Sequence, residues 1–246
     1  MARTARQIIT VSPPNLDKTG FLPLECRLGG GAGPISRDWL IDRFNDGFQV
    51  RMLRAPRRGF IEFAPGRVSW WPIERADDSV VIQRLRVEDE ADGGDAAVIL
   101  LREAEDWARF YGFSAVLALS GHGVGPFGEA ELQAHGYRVI DETEDGVLLR
   151  AHVLQGPTEL PHLPRDWTAR MSRLGPGLVI QTTGHCPVQD VRAGLLLSWA
   201  RQAGLSARLD AITTAEDARA RLAAPGTLYC AVLDGEIGRA SCRERV

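Results

Sequence analysis

Apolar and polar positions follow two rhythms along the chain, one of period two and one of three to four residues. Residues 8–11 open as a short β-branched strand closed by Pro13-Pro14. Ser36-Arg37-Asp38 caps a helix that carries Trp39, Leu40, Ile41 and Phe44 on one apolar face. Residues 59–63 and 68–72 read as two strands joined by a turn at Pro65-Gly66, and residues 80–87 as a third, β-branched strand. An acidic, glycine-containing loop comes next, and then a long amphipathic helix over 96–111 that Gly112 ends. Residues 114–120 form the apolar run of a buried strand, while 137–140 and 146–152 predict a hairpin.

The pattern breaks at residues 155–176, where Pro157, Pro161, Pro164 and Pro176 with few periodic apolar positions predict a linker. A second α/β pattern begins after it: a strand over 178–182, a helix over 187–203 and a strand over 206–212. A short helix with a Thr213/Glu216 capping box and a strand over 228–233 complete it. Asp234-Gly235 should turn that strand into a partner. Residues 236–246, however, are polar and arginine-rich and resemble a vector-derived read-through peptide, so they are set outside the fold, Cys242 among them. The expected fold class is α/β (α+β): a mixed sheet with flanking helices over 1–154, then an incomplete α/β unit over 177–235. Strand 228–233 would then carry an unpaired edge and leave its unit marginally stable.

With 246 residues, 44% apolar and 25% charged, the chain has room for one or two globular domains. A net charge of −3 and the lack of a basic cluster argue against nucleic acid and anionic membranes as partners. Apolar runs such as 96–101 fall far short of the ~20 residues of a membrane span, and residues 1–7 lack a signal-peptide core, so a cytoplasmic location is expected. Cys26, Cys186, Cys230 and Cys242 lie far apart with no C-x-x-C, and the five histidines are scattered. Free thiols and no metal site are expected. Lys18 is the sole lysine, so arginine carries almost all the positive charge.

Strand 80–87, its loop and the helix after it form a layout in which a helix N-terminus can receive a phosphate, although an ordinary crossover has the same layout. Further residues join this unit: Ile8-Ile9-Thr10-Val11, Trp39-Leu40, Phe60-Ile61-Glu62-Phe63, Trp71-Pro72-Ile73, Gly112-Phe113, Gly136-Tyr137-Arg138-Val139 and Cys186-Pro187. On these the chain, over about residues 8–235, resembles YoaP-like proteins, in which a GNAT acetyltransferase domain precedes a thioredoxin-like domain. The resemblance implies transfer of acetyl from acetyl-CoA to an amine of a small molecule or protein, with the cofactor between splayed fourth and fifth strands. Its pantetheine arm would pair with Leu85 and Val87, and its pyrophosphate would sit on the loop of Glu90, Gly93, Gly94 and Asp95.

The family's loop has Gln or Arg, then Gly three residues on, then Gly or Ala two further; here these are Glu90, Gly93 and Asp95, and Gly93 alone fits. Glu88, Asp89, Glu90, Asp92 and Asp95 put five carboxylates within eight residues where a pyrophosphate would sit. Like charges 4 Å apart repel by about 1 kcal/mol in water and by more at a protein surface. The family's proton-donating tyrosine is replaced by Leu132, which leaves Tyr137 and Ser120 as the nearby candidates. A rival reading is therefore a GNAT-fold binding or scaffold protein without catalysis.

Cys186 precedes Pro187 at a helix start, where the dipole favours a thiolate. Gln189 stands where a second cysteine would complete a dithiol pair, so a single-cysteine redox or sensing role is the third reading. Pro225 lies near where thioredoxin folds keep a cis-proline, and Cys230 is expected to be buried. The G-x-G-x-x-G of residues 123–128 leaves too few positions before Gly136 for the helix a dinucleotide site needs.

Overall fold

The computed structural model describes residues 7–28, 35–88, 95–121, 129–156 and 159–237. The first half builds a seven-stranded mixed sheet in the order β1-β2-β3-β4-β5-β7-β6. Strands β1 (Ile8–Val11), β2 (Gln49–Leu53), β3 (Gly59–Pro65) and β4 (Ser79–Val87) form an antiparallel run, each pairing with the next. Strand β5 (Ala115–Gly121) lies parallel to β4, and the hairpin of β6 (Arg138–Glu142) and β7 (Val147–Val153) closes the sheet against β5.

Helices α1 (Phe21–Leu28) and α2 (Arg37–Asp46) cover one face through a core of Phe21, Leu40, Phe48, Val50 and Phe60. Helix α3 (Ala96–Phe110) covers the other, packing Leu100, Leu101 and Ala104 on Ile61, Phe63, Ile82 and Val116; Leu132 of α4 (Glu129–Ala134) joins that core. Every residue of β3 is buried, which fits a sheet clad on both faces. Helix α2 starts as its sequence predicts: Ser36 Oγ accepts from Trp39 N–H, one of the amides a first turn leaves unpaired.

One strand in this half went unread and one expectation needs correction. A strand over 49–53 was not legible, because Arg51 interrupts its apolar run; that arginine is buried with its guanidinium 5.5 Å from the Phe63 ring centroid. Residues 68–72 form no strand. A 3-10 turn occupies Gly66–Val68, pressed so close to Ala76 that a Cβ on Gly66 would sit 1.9 Å from its carbonyl oxygen.

The second half holds a four-stranded sheet in the order β11-β10-β8-β9. Strands β8 (Leu178–Thr182) and β9 (Ala207–Ala211) are parallel and joined through α6 (Pro187–Gln202). Helix α7 (Ala215–Arg221) leads on to β10 (Cys230–Leu233), and its cap is Thr214, one residue later than the sequence motif suggested. Asp234 and Gly235 both take positive φ, 51° and 82°, and turn the chain into β11 (Glu236–Ile237). Residues 236–237 thus continue the fold, and β10 is paired on both sides, by β8 and β11; residues 238–246, with Cys242, lie outside the described residues.

The stretch read as a linker is packed. It contains α5 (Trp167–Arg173), Leu163 is fully buried, and His162 bridges to Glu74. The two halves also touch directly. Trp70 packs with Ile212, Ala218 and Leu222, Trp39 Nε1 donates to the Thr183 carbonyl at 3.1 Å, and Arg219 Nη1 donates to that of Ser69 at 2.9 Å. Among the described residues no helix is long and apolar enough to cross a membrane.

One buried ionic knot fastens the first half. Arg84 of β4 grips Glu62 of β3 with Nε and Nη2, both at 2.7 Å, and reaches Glu25 of α1 with Nη1 at 2.5 Å. Glu25 also accepts the Ile35 amide at 2.7 Å. Burial opposes the charged guanidinium, but the two carboxylates outweigh it and hold Arg84 above its ordinary value. Removing only the arginine strands two buried carboxylates. Arg84→Met is expected to cost about 3–5 kcal/mol in urea unfolding, and adding Glu25→Leu and Glu62→Leu should restore most of it. A loss below about 1 kcal/mol for Arg84→Met would show that the knot is not structural.

Candidate active site

The sheet opens at a gap between two central strands. β4 and β5 are paired only from Ser79–Ala115 to Val81–Leu117, although β4 continues to Val87 and β5 to Gly121. On its other side β4 pairs with β3, and there Gln83 is an extra residue, since Phe63 faces Ile82 while Glu62 faces Arg84. Such a bulge bends a strand and increases its twist. The Gln83 side chain fixes the bend by donating to Ser69 Oγ at 3.0 Å and to the Val81 carbonyl at 3.3 Å. Beyond it, Leu85 is buried under α3 and Val87 packs beside it, and among the described residues β4's edge toward β5 carries no ladder.

At the end of that edge, α3 begins. Asp95 is its N-cap residue, yet its side chain makes no capping hydrogen bond and instead pairs with Arg57 at 2.8 Å. Glu88, at the other end of the loop, pairs with Arg58 at 3.5 Å. The β2–β3 turn therefore sets two adjacent guanidiniums against the acidic loop. The sequence holds this signal as Arg57-Arg58, but only the strand register brings it opposite residues 88 and 95. Glu90, Gly93 and Gly94 lie outside the described residues, as does the G-x-G-x-x-G of 123–128.

Across the gap, Ser120 lies fully buried near the end of β5, and its hydroxyl accepts from Arg150 Nε at 2.8 Å. Arg150 Nη1 donates to the Tyr137 carbonyl at 3.5 Å, and Nη2 lies 3.7 Å from Glu129. Ser120 and Tyr137 are thus joined by a buried guanidinium that sequence reasoning missed; a lone arginine in the apolar run Val-Leu-Leu-Arg-Ala was its only trace. Tyr137 has no exposed surface, and burial and the Glu105 carboxylate push its phenol well above its ordinary value. Its ring belongs to a polar pocket around buried Glu105, faced by His135 at 3.4 Å, Arg109 at 3.6 Å and His152 at 3.8 Å. Leu132 is likewise fully buried.

Cys186 stands elsewhere, as the half-buried N-cap residue of α6, with Pro187 in the first turn and no side-chain cap bond. Its neighbour His185 is buried with its ring 4.7 Å from that of Trp39, and its carbonyl accepts from Ser36 N–H. Cys230 is buried as expected. Its Sγ lies 3.2 Å from Gln181 Oε1, and burial pushes the thiol up to about 12. The cis X-Pro peptide among the described residues is Ala55-Pro56, not the bond before Pro225. No group of three or more potential ligands could hold a metal ion among them.

No family model matches the chain, and no curated protein matches it in sequence. Among solved structures it is similar to a ribosomal-protein-alanine N-acetyltransferase from Brucella melitensis, at 19% identity over 60% of this chain and 99% of that one, with a TM-score of 0.41. It is similar to the PaiA N-acetyltransferase from Thermoplasma acidophilum in complex with coenzyme A, at 16% identity over 60% and 99% of the two chains and a TM-score of 0.41. An acetyltransferase from Thermus thermophilus matches at 14% identity over 60% and 97%, with a TM-score of 0.43.

Two histidines near these features have their pKa pushed down. Burial, aided by Arg84, pushes His185 well below its usual range, and burial also lowers His135 against the pull of Glu105. A histidine with a depressed folded-state value binds its proton in the unfolded chain first. Stability should therefore be full above pH 6.5, the ordinary value, and fall as pH drops below it. Urea unfolding between about pH 7 and pH 5 should show this fall, at up to ~1.4 kcal/mol per pH unit for each histidine. His185→Asn should flatten it, and a stability flat or rising toward pH 5 would contradict the assignment.

Proposed function

We propose that the protein is an acetyl-CoA-dependent N-acetyltransferase acting on an amine. The observation that carries this reading is the divergence of β4 from β5 past the bulge at Gln83, which among the described residues leaves one edge of a central strand without a ladder. A free strand edge recognises an extended, amide-bearing arm by backbone hydrogen bonds. The pantetheine of an acyl-CoA is such an arm, and Leu85 and Val87 are the residues that would pair with it. The N-terminal amides of α3 would receive the pyrophosphate, with Arg57 and Arg58 offsetting the charge of Asp95 and Glu88. When bound, acetyl-CoA supplies an activated acyl carbon: the amine nitrogen bonds to it, the C–S bond breaks, the nitrogen loses a proton and the sulfur gains one.

This chain's part is mainly positioning. Ser120, whose hydroxyl accepts from Arg150 Nε near the end of β5, is assigned the proton that passes to sulfur. Tyr137 keeps its proton and packs, so it is assigned to the scaffold of the site rather than its chemistry. The rival reading, a GNAT-like fold that binds without catalysis, draws support from Leu132, an apolar buried residue where the family's acid would stand.

Calorimetric titration of the full chain with acetyl-CoA is expected to give micromolar binding. Asp95→Asn, which removes one carboxylate and releases its hold on Arg57, should tighten it about fivefold, the worth of one such charge near water. Ser120→Ala should leave binding within about twofold while slowing release of free CoA thiol to amine acceptors by about 10²-fold or more. Absence of binding up to millimolar acetyl-CoA would overturn the proposal, and binding without thiol release would select the rival.

A further inference from the structure

The sequence offers no basic cluster, yet the fold assembles one on the face of the second sheet opposite α6. Arg170 and Arg173 of α5, Arg208 of β9 and Arg221 of α7 line, with Leu174 and Asp210, a cavity of about 250 Å³. Arg208 and Asp210 share that face because they sit opposite Val179 and Gln181, whereas Leu178 and Ile180 point into the core beneath α6.

The charges around this cavity do not balance. Arg170 Nε and Arg173 Nη2 share the single carboxylate of Asp166, at 2.7 and 3.0 Å. Arg221 pairs with Asp210 and lies 3.6 Å from Asp217. Arg208 is met by a neutral group, donating through Nη2 to the Leu174 carbonyl at 2.7 Å. Among the described residues four guanidiniums thus face three carboxylates, and of those only Asp210 belongs to the wall. Each guanidinium has five N–H donors in a planar fork suited to oxyanions, and the bonds above use one donor each of Arg173 and Arg208. Arg170 is 6% exposed, so one of the four is held in place by the fold, anchored by bonds from Nη1 to the carbonyls of Arg219 and Leu222.

We propose that this cavity binds a small, doubly charged oxyanion of the phosphate type, either free or as a phosphate monoester. Such a group would bring negative charge to a wall of four guanidiniums and one carboxylate, and would accept from Arg173, Arg208 and Arg221 at once. The site is independent of the proposed acetyl-CoA cleft, which lies in the other sheet, and it stands or falls separately.

Titration of the full chain with inorganic phosphate at constant ionic strength, balanced with chloride, tests it. Saturable one-site binding is expected, with Arg173→Gln and Arg208→Gln each weakening it at least about fivefold and Arg208→Lys weakening it less. Sulfate should compete, and succinate, planar at each carboxylate, should bind more weakly. A sugar phosphate binding tighter than inorganic phosphate would assign the monoester as the ligand, and equal or weaker binding the free ion. Thermal unfolding of each variant separates lost binding from lost fold, and perturbation of the arginine Nε–H signals in the unsubstituted protein gives a readout that needs no variant. Binding that both glutamine variants leave unchanged, or no saturation by roughly 20 mM phosphate, where the affinity would be too weak to matter, would overturn the proposal.

Discussion

The guanidinium of Arg84 is the point through which the first half of the molecule is tied. It joins β4 to β3 through Glu62 and to α1 through Glu25, and Glu25 in turn holds the amide of Ile35 where the chain enters α2. The knot sits one residue past the bulge at Gln83, on the segment of β4 that has left β5. A strand that gives up its ladder on one edge must be held by other means. Here the means are the β3 ladder, the apolar contacts of Leu85 and Val87 under α3, and a largely buried bidentate ion pair on the opposite face. The second half leans on the same region, with His185 buried close enough to Arg84 to feel its charge.

The acidic loop after β4 looks hostile to an anionic ligand when read as a string of letters. In the folded chain its two described carboxylates, Glu88 and Asp95, are met by Arg58 and Arg57 from the neighbouring turn. The same lesson holds in the second half, where arginines 170, 173, 208 and 221, spread over three elements, converge on one cavity. In a chain with a single lysine, charge density along the sequence is a poor guide to charge density in space.

Elements with a strong period or a clear cap were legible. The helix capped by Ser36, the apolar strand of β5, the 15-residue α3 and the α/β alternation of the second half all lie close to where their patterns place them. What failed had a tertiary cause. Arg51 hides β2 because its guanidinium is buried against an aromatic ring supplied by another strand. Pro161 and Pro164 suggested a free linker, but Leu163 between them fills a core shared with Trp71 and Leu149. At the candidate site, the strand-loop-helix layout was visible, whereas the gap beside β4, the bulge that makes it and the Arg150 link between Ser120 and Tyr137 depend on pairings that no local pattern encodes.

The central claim is that the open edge of β4 is a binding surface. Amide hydrogen exchange, resolved by residue and compared with and without acetyl-CoA, tests it most directly. Slowed exchange is expected, confined to the far end of β4, the last residues of β5 and the first turn of α3. No change along residues 82–87, or protection only in the second half, would contradict it.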